Sequence, residues 1–376
     1  MSVIIGILFS SYGPYHIARV QGLVNNPRSH EQQVVAIELS RCQNEYPWKT
    51  KTDALDFSLV SVTQQALEKT NILQLLQKLN QVLNNVNPSV IAIAGYFQPS
   101  MLFTLAWCLW HRKSAILLSE TTENDASRSW WRELLKSWIV TKYQAALVGG
   151  NPHKRYMIKL GMPESGIFLG YDVVGNDCFH PDKIKHFSNP IKKPFFLAIN
   201  RFISKKNLPF LISSYAVYSK IAGNNAWDLV LCGDGELSLQ IKQQIAELEL
   251  KNSIHLPGFL QEDEMLPYFA HAGCFVHTST QEQWGLVVNE AMAAGLPVLV
   301  SNRCGCFEDL VLEGINGFGF DPENQQELTQ LMIKISSDAV DLKAMSQASL
   351  KHIQNFSPNY FAQGLMQAVE YALAQR

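Results

Sequence analysis

The residues best suited to chemistry lie in one run, FVHTSTQEQWGLVVNEAMAAGLPVLVS, residues 275–301. It holds two carboxylates, Glu282 and Glu290, with seven residues between them. Residues 275–277 and 298–300 are short, apolar and β-prone, whereas 286–294 is rich in helix formers and is stopped by Gly295 with Pro297 just beyond. The pattern predicts one βαβ unit of a parallel sheet. In such sheets ligands gather at the carboxyl ends of strands, where helix N-termini present free N–H groups. Glu282 falls on that loop and Glu290 inside the helix. A loop carboxylate can take the hydroxyls of a ligand, while the backbone at Trp284, Gly285 and Leu286 offers donors to an anion. Anion-binding amides beside hydroxyl-binding carboxylates suit a phosphorylated sugar.

The elements that must hold such a site extend in both directions. Residues 3–9, 34–39, 90–94, 114–118 and 145–148 read as strands, and 64–83 and 99–110 as helices. Gly13–Pro14 turns the chain from the first strand into a helix. A second alternating run begins near Pro194, after HPDKIKHFSNPIKKP, a stretch whose proline and lysine content marks a linker. Strands alternating with helices predict an α/β chain of two Rossmann-like, doubly wound parallel sheets. The length, 376 residues, agrees with two domains. No Gly-x-Gly-x-x-Gly follows the first strand, which argues against a nicotinamide enzyme.

Bulk composition narrows the partners. A chain 47% hydrophobic and 17% charged can bury large cores. Its net charge of -2 gives no support to a nucleic-acid partner, which would need a basic footprint. The seven cysteines (Cys42, Cys108, Cys178, Cys232, Cys274, Cys304, Cys306) are scattered, several of them in apolar strands, and read as free, buried thiols. The opening MSVIIGILFSSYG has no charged leader and reads as a first strand, and no apolar run approaches the ~18 residues of a spanning helix. A cytoplasmic protein is expected.

The run at 275–301 resembles the signature of retaining glycosyltransferases of family 4 (glycosyl transferases group 1), which carry a Glu-x7-Glu pair on the GT-B fold. The resemblance extends in order over roughly residues 195–325. Upstream, LAINRFISKKNLPFLISSY holds Arg201 and Lys206, followed by Asn207. LVLCGDGEL, with Gly233, is similar to the family's glycine turn, and IHLPGFLQEDEMLPYFAHAGCFVHTS to the strand and loop that hold the base. SNRCGCFEDLV and NGFGFDPEN are similar to the closing segments.

The resemblance implies two Rossmann-like domains facing a central cleft. Residues 1–180, with a return helix over 358–376, would form the acceptor side, and 190–357 the nucleotide-sugar side. It implies a hexosyltransferase that takes a nucleotide-diphosphate sugar, with UDP-glucose or a close relative favoured. The acceptor would be an unidentified hydroxyl on a small molecule, a glycan or a lipid-linked sugar. Arg201 and Lys206 would grip the diphosphate, Glu290 the ribose and Glu282 the transferred sugar. The base would lie against Phe259–Leu260, and Gly13 would approach the phosphates from the other domain. No Asp-x-Asp occurs in the chain, so cations and helix amides would replace a metal, and no cofactor is expected. The alternatives are a GT-B nucleotide-sugar epimerase and a catalytically silent nucleotide-sugar-binding module.

The first domain departs from the family pattern. Where a His commonly follows a strand, near the donor sugar, this chain has AILLSETTEND, with Ser119 and Glu120. The first loop, usually Gly-Gly, is YGPYHIAR, which brings in His16 and Arg19. Of these, His16, Ser119 and Glu120 are candidates for acceptor or sugar contacts. SRSWWRELLKSWIVTKY, residues 127–143, places Trp130, Trp131, Leu134, Leu135 and Trp138 at helical spacing among Arg128, Arg132, Lys136 and Lys142. The favoured expectation is an aromatic face packed on its own sheet; the alternative is peripheral contact with a membrane.

Overall fold

Every strand pairing in the computed structural model is parallel among the residues it describes, which are 3–41, 55–125 and 129–375. Cys42, Ser127 and Arg128 lie outside them. The chain divides into two compact units, Met1–Gly175 with Phe356–Arg376, and Asn176–Asn355. The linker composition drew the first boundary at 180–190. The short helices Asn176–Phe179 and Pro181–Ile184 instead join the second unit, where Asn176 donates to the Ile353 carbonyl at 3.0 Å and Phe179 packs edge-on against Phe269 at 5.4 Å.

In the first unit β1 (Ile4–Phe9), β2 (Gln33–Ser40), β3 (Ser58–Thr63), β4 (Val90–Ala94), β5 (Ser114–Ser119), β6 (Ala145–Val148) and β7 (Ile167–Leu169) lie in the order β3-β2-β1-β4-β5-β6-β7. Alternation along β1 divides two cores. Ile5, Ile7 and Phe9 face the helices Pro14–Val24 and Pro358–Ala374, and Leu8 faces Ile72–Val86 and Pro99–Trp110. Strands β3 and β7 carry weak sequence signals, because β3 is a partly exposed edge and β7 spans three residues. The helix expected over 64–83 starts later, at Ile72, and runs to Val86. The Asn71 carboxamide caps it by accepting from the Leu73 N–H at 2.9 Å, and Asn87, at φ +46°, ends it in the left-handed conformation.

The second unit repeats the plan with β8 (Phe195–Ile199), β9 (Asp228–Cys232), β10 (Ile254–Gly258), β11 (Cys274–His277), β12 (Val298–Ser301) and β13 (Gly317–Phe320), ordered β10-β9-β8-β11-β12-β13. Strand order reverses between β8 and β11, so the loops that leave these two strands are neighbours at a switch point.

The helix Trp130–Val140 does not pack as expected. Its tryptophans and leucines stand in solvent and only Val140 is buried. The reason is that Glu133 and Lys136, on the opposite side, fasten the helix to Tyr156.

The return helix Pro358–Ala374 lies against the first unit through two glycines. A Cβ on Gly22 would come within 2.5 Å of Pro358 Cβ, and one on Gly364 within 2.1 Å of the Leu169 carbonyl oxygen. Gly364→Ala is therefore expected to push the helix off β7 at a cost of ~1–3 kcal/mol, the usual range for overpacking. Chemical denaturation reads this as a lower midpoint; an unchanged midpoint would mean that the helix has room to shift.

Candidate active site at the switch point of the second sheet

The loop leaving β8 closes with a single 3-10 turn, Ser204–Lys206, before Asn207 at φ +56° starts the helix Leu208–Ala222. The chain leaving β11 holds that turn in place. Thr278 Oγ1 donates to the Lys206 carbonyl at 2.9 Å and the Thr280 N–H to the Lys205 carbonyl at 2.9 Å. Asn207 Nδ2 donates to the Pro322 carbonyl at 2.8 Å and ties the other side. Lys206 is thus positioned through its backbone, which leaves the side chain free to reach across.

It reaches Glu282. The Lys206 ammonium and the Glu282 carboxylate form an ion pair whose side chains are 12% and 13% exposed. The same carboxylate oxygen lies 3.1 Å from Ser279 Oγ, which donates to it, and 3.3 Å from His277 Nε2. Burial alone would raise the Glu282 carboxyl, but the hydrogen bond from His277 and the Lys206 ammonium outweigh it and hold the group well below the usual carboxylate range. Burial pushes His277 down, so the ring is neutral near pH 7, and its Nε2 faces the carboxylate. Its Nδ1 is buried with no hydrogen-bond partner.

Gly285, at φ +106°, then admits the helix Leu286–Ala293. A Cβ there would sit 3.4 Å from Glu282 Cγ and 3.5 Å from His277 Nε2. The left-handed conformation favours glycine, while those distances are ordinary van der Waals contacts. The helix N-terminus, with its unsatisfied N–H groups, therefore begins beside the Lys206–Glu282 pair. Trp284 contributes through its backbone and its packing: the ring is buried, and the indole N–H donates to Asn289 Oδ1 at 2.8 Å. Glu290, about a turn into the helix, is buried at 2% exposure. Cys304 and Cys306, on the next loop, are free thiols that burial pushes up.

The neighbouring strand ends carry the other candidates of this unit. Arg201 is exposed, two residues beyond β8. Gly233, at φ +137°, passes so close to the Asn200 carbonyl that a Cβ would lie 1.8 Å from its oxygen. The Gly233 N–H donates to the Gly258 carbonyl at 2.8 Å and the Asn200 N–H to the Cys232 carbonyl at 3.0 Å, which locks the ends of β8, β9 and β10 together. Beyond Gly258 come Phe259, a half-exposed ring, and Leu260, partly buried. The Asn200 side-chain amide is buried and neither of its polar atoms has a partner.

Four candidates belong to the first unit. The Gly13 N–H donates to His16 Nδ1 at 3.1 Å at the start of Pro14–Val24, and the His16 ring lies 4.1 Å from that of Phe9. Burial and the Arg19 guanidinium push His16 down to about 3, so this ring is a neutral helix-capping group near pH 7. Arg19 is buried, with Nη2 3.4 Å from Asp172 Oδ1 and the guanidinium 4.6 Å above the Tyr171 ring. Ser119 is buried and accepts from the Thr121 N–H at 3.2 Å. Burial and the charge of Glu120 raise the Asp172 carboxyl well above its ordinary range, against the pull of Arg19.

His277, Ser279, Asn200 and Asp172 are absent from the sequence-derived candidates. For His277 a signal existed: a lone imidazole ends an apolar strand immediately before Thr-Ser-Thr, where ligands collect. Asp172 has no comparable signal, since only the packing of the loop after β7 onto Arg19 brings it in. Among the described residues no cluster of three or more His, Cys, Asp or Glu side chains is placed to hold a metal ion.

Residues 181–352 match the family glycosyl transferases group 1. Sucrose synthase from Melioribacter roseus is 30% identical over 196 residues, 48% of this chain and 24% of that protein. Poly(glycerol-phosphate) alpha-glucosyltransferase from Bacillus subtilis is 28% identical over 172 residues, 46% of this chain and 25% of that protein. The match thus spans about a quarter of the length of these relatives. A glycosyltransferase from Rickettsia africae superposes with a TM-score of 0.76 over 100% of both chains at 15% identity. Anabaena HepE in complex with UDP and glucose does so with a TM-score of 0.76 over 98% of this chain and 99% of that one, at 17% identity. Two doubly wound parallel units agree with those neighbours in architecture. Residues 181–352, nearly the whole second unit, are thus similar to glycosyl transferases group 1, and the fold of the chain is GT-B.

Proposed function

We propose that the protein is a retaining glycosyltransferase that moves a hexose from a nucleotide-diphosphate sugar to a hydroxyl acceptor without a metal ion. The observation that carries this reading is the Lys206–Glu282 pair set against the helix N-terminus at Gly285. It places a cation, backbone donors and a hydroxyl-accepting carboxylate within one small volume. A UDP-sugar is the favoured donor, UDP-glucose first. Support comes from the group 1 match and from the UDP and glucose in the Anabaena HepE complex.

Transfer breaks the bond between the anomeric carbon and the β-phosphate oxygen, and the electron pair leaves with the phosphate. Negative charge grows on the diphosphate and positive charge on the ring. Arg201, Lys206 and the first amides of Leu286–Ala293 would meet the negative charge with groups already in place. A diphosphate that reaches Lys206 replaces Glu282 as its anionic partner, which frees the carboxylate for sugar hydroxyls while His277 and Ser279 keep it oriented. Glu290 would take the ribose hydroxyls. With no carboxylate assigned as nucleophile, the acceptor oxygen attacks the face that the phosphate leaves and passes its proton to that phosphate, which retains configuration.

Melting curves with UDP, GDP, ADP and dTDP test the donor directly. A ligand at about 100 times its Kd should stabilise the protein by ~2.7 kcal/mol. No shift with any of them would remove the transferase reading. Product NMR with the binding nucleotide's sugars then separates transfer from epimerisation and from silent binding. Activity that disappears in EDTA and returns with Mg²⁺ would overturn the metal-free account.

Substitutions at the pair should separate stability from turnover. Lys206→Met leaves Glu282 buried without its cation, a loss of ~3–5 kcal/mol for buried pairs. Lys206→Met/Glu282→Gln should recover much of that stability and none of the activity. Because Glu282 is held low, the pair's contribution is complete above the ordinary carboxylate range and is lost only as pH falls toward the depressed value. Denaturation of the four proteins of the cycle at pH 7 checks the coupling. Equal stability for Lys206→Met and wild type would mean that the pair carries none.

The candidate ligand contacts divide by kinetic effect. Arg201→Ala should cost turnover about a hundredfold, as losing one preorganised donor does. Glu290→Ala should chiefly weaken binding of the bare nucleoside diphosphate, whereas Glu282→Ala should depress turnover with that affinity little changed. Titration calorimetry with UDP distinguishes the two; equal losses of affinity would show that their roles are shared.

A further inference from the structure

The helix Trp130–Val140 reverses the usual order of an amphipathic surface helix. Trp130 is 77% exposed, Trp138 63%, Leu134 62%, and Trp131 and Leu135 51% each. At ~100° per residue these five side chains cover an arc of roughly 140°. Glu133, Lys136 and Val140 fall on the opposite side, where Tyr156 Oη donates to Glu133 Oε2 at 2.8 Å and Lys136 Nζ to Tyr156 Oη at 3.1 Å. The helix is fastened to the unit by a charged pair and holds its apolar residues outward. An apolar face so concentrated marks a surface that something covers.

The placement of charge identifies the occupant. The Arg132 guanidinium lies 5.1 Å from the Trp131 ring centroid and Lys142 Nζ 5.4 Å from that of Trp138. Each cation borders an outward indole, so indoles and ammonium or guanidinium groups meet the same layer. Tryptophan favours the boundary between hydrocarbon and water, and flanking cations favour anionic headgroups. No helix among the described residues is long and apolar enough to cross a membrane, which restricts this helix to lying in the interface.

We propose that the face formed by Trp130, Trp131, Leu134, Leu135 and Trp138 docks the protein on an anionic lipid bilayer, with Arg132 and Lys142 held against the headgroups. This stands apart from the transfer reaction and does not need it.

Flotation of the full chain with phosphatidylcholine vesicles, and with vesicles of phosphatidylcholine and phosphatidylglycerol in equal parts, tests the proposal. The wild-type protein is expected to float with the anionic vesicles and much less with the neutral ones. Trp130→Ala/Trp131→Ala/Trp138→Ala should weaken partitioning at least about tenfold with an unchanged melting point, since none of these rings is in the core. Leu134→Glu, on the same exposed arc, should act in the same direction. Arg132→Glu/Lys142→Glu should abolish the preference for anionic vesicles. Failure of the wild type to float, flotation untouched by the triple variant, or equal flotation on both vesicles would overturn the proposal. So would a concentration-dependent dimer lost in the triple variant, because the cover would then be a second copy of the chain.

Discussion

Two loops that leave neighbouring strands of the second sheet are joined by the charge pair between Lys206 and Glu282, and the geometry of the site follows from it. Thr278 and Thr280 hold the backbone of the Lys206 turn, so the ammonium meets the carboxylate from a fixed direction. Ser279 and His277 hold the carboxylate from the strand side. Gly285 lets the next helix begin almost in contact with it. A buried pair gains little net stability over an apolar substitute, and what it does provide is a costly penalty for separation. An anionic ligand able to replace Glu282 at Lys206 avoids that penalty, which makes the pair a resting arrangement suited to exchange for a diphosphate.

The first unit follows the same architectural logic with different chemistry at its strand ends. The loop after β7 delivers Asp172 to a buried guanidinium, Arg19, that rises from the first helix. Glu120, just beyond β5, acts on that aspartate through its charge and, with burial, raises it. Burial disfavours the charged form of Asp172, and Arg19 offsets part of that effect. His16 remains neutral because burial and Arg19 act in the same direction on it. Its ring nitrogen is already used in accepting from the Gly13 N–H, so it closes the helix N-terminus.

Close backbone approach is the second recurring device. Gly22 and Gly364 let the last helix settle on the first unit, and Gly233 lets the β9 loop cross the end of β8. At each, a single methyl group would collide with backbone or with proline, atoms that cannot swing aside. The outward face of Trp130–Val140 is a different kind of departure, an apolar surface that the unit itself does not cover.

Much of this was legible in the amino-acid sequence, and for definite reasons. Parallel βαβ organisation shows in apolar runs of strand length separated by helix formers, because strands buried on both faces must be nearly all apolar. Glu282 and Glu290 could be singled out because a strand followed by polar residues and a helix start is a local pattern, and Arg201 and Lys206 because their segment resembles the family motif. The delayed start of Ile72–Val86 could have been read from its Asn71 cap. Tertiary structure alone decided that Lys206 and Glu282, 76 positions apart, are partners. It alone joined Asp172 to Arg19 across 153 positions, and it alone turned the tryptophans outward. Helical spacing defines which residues share a face but not which face the rest of the fold will bury. That choice was made by Glu133 and Lys136 finding Tyr156, a contact between elements that no local pattern encodes.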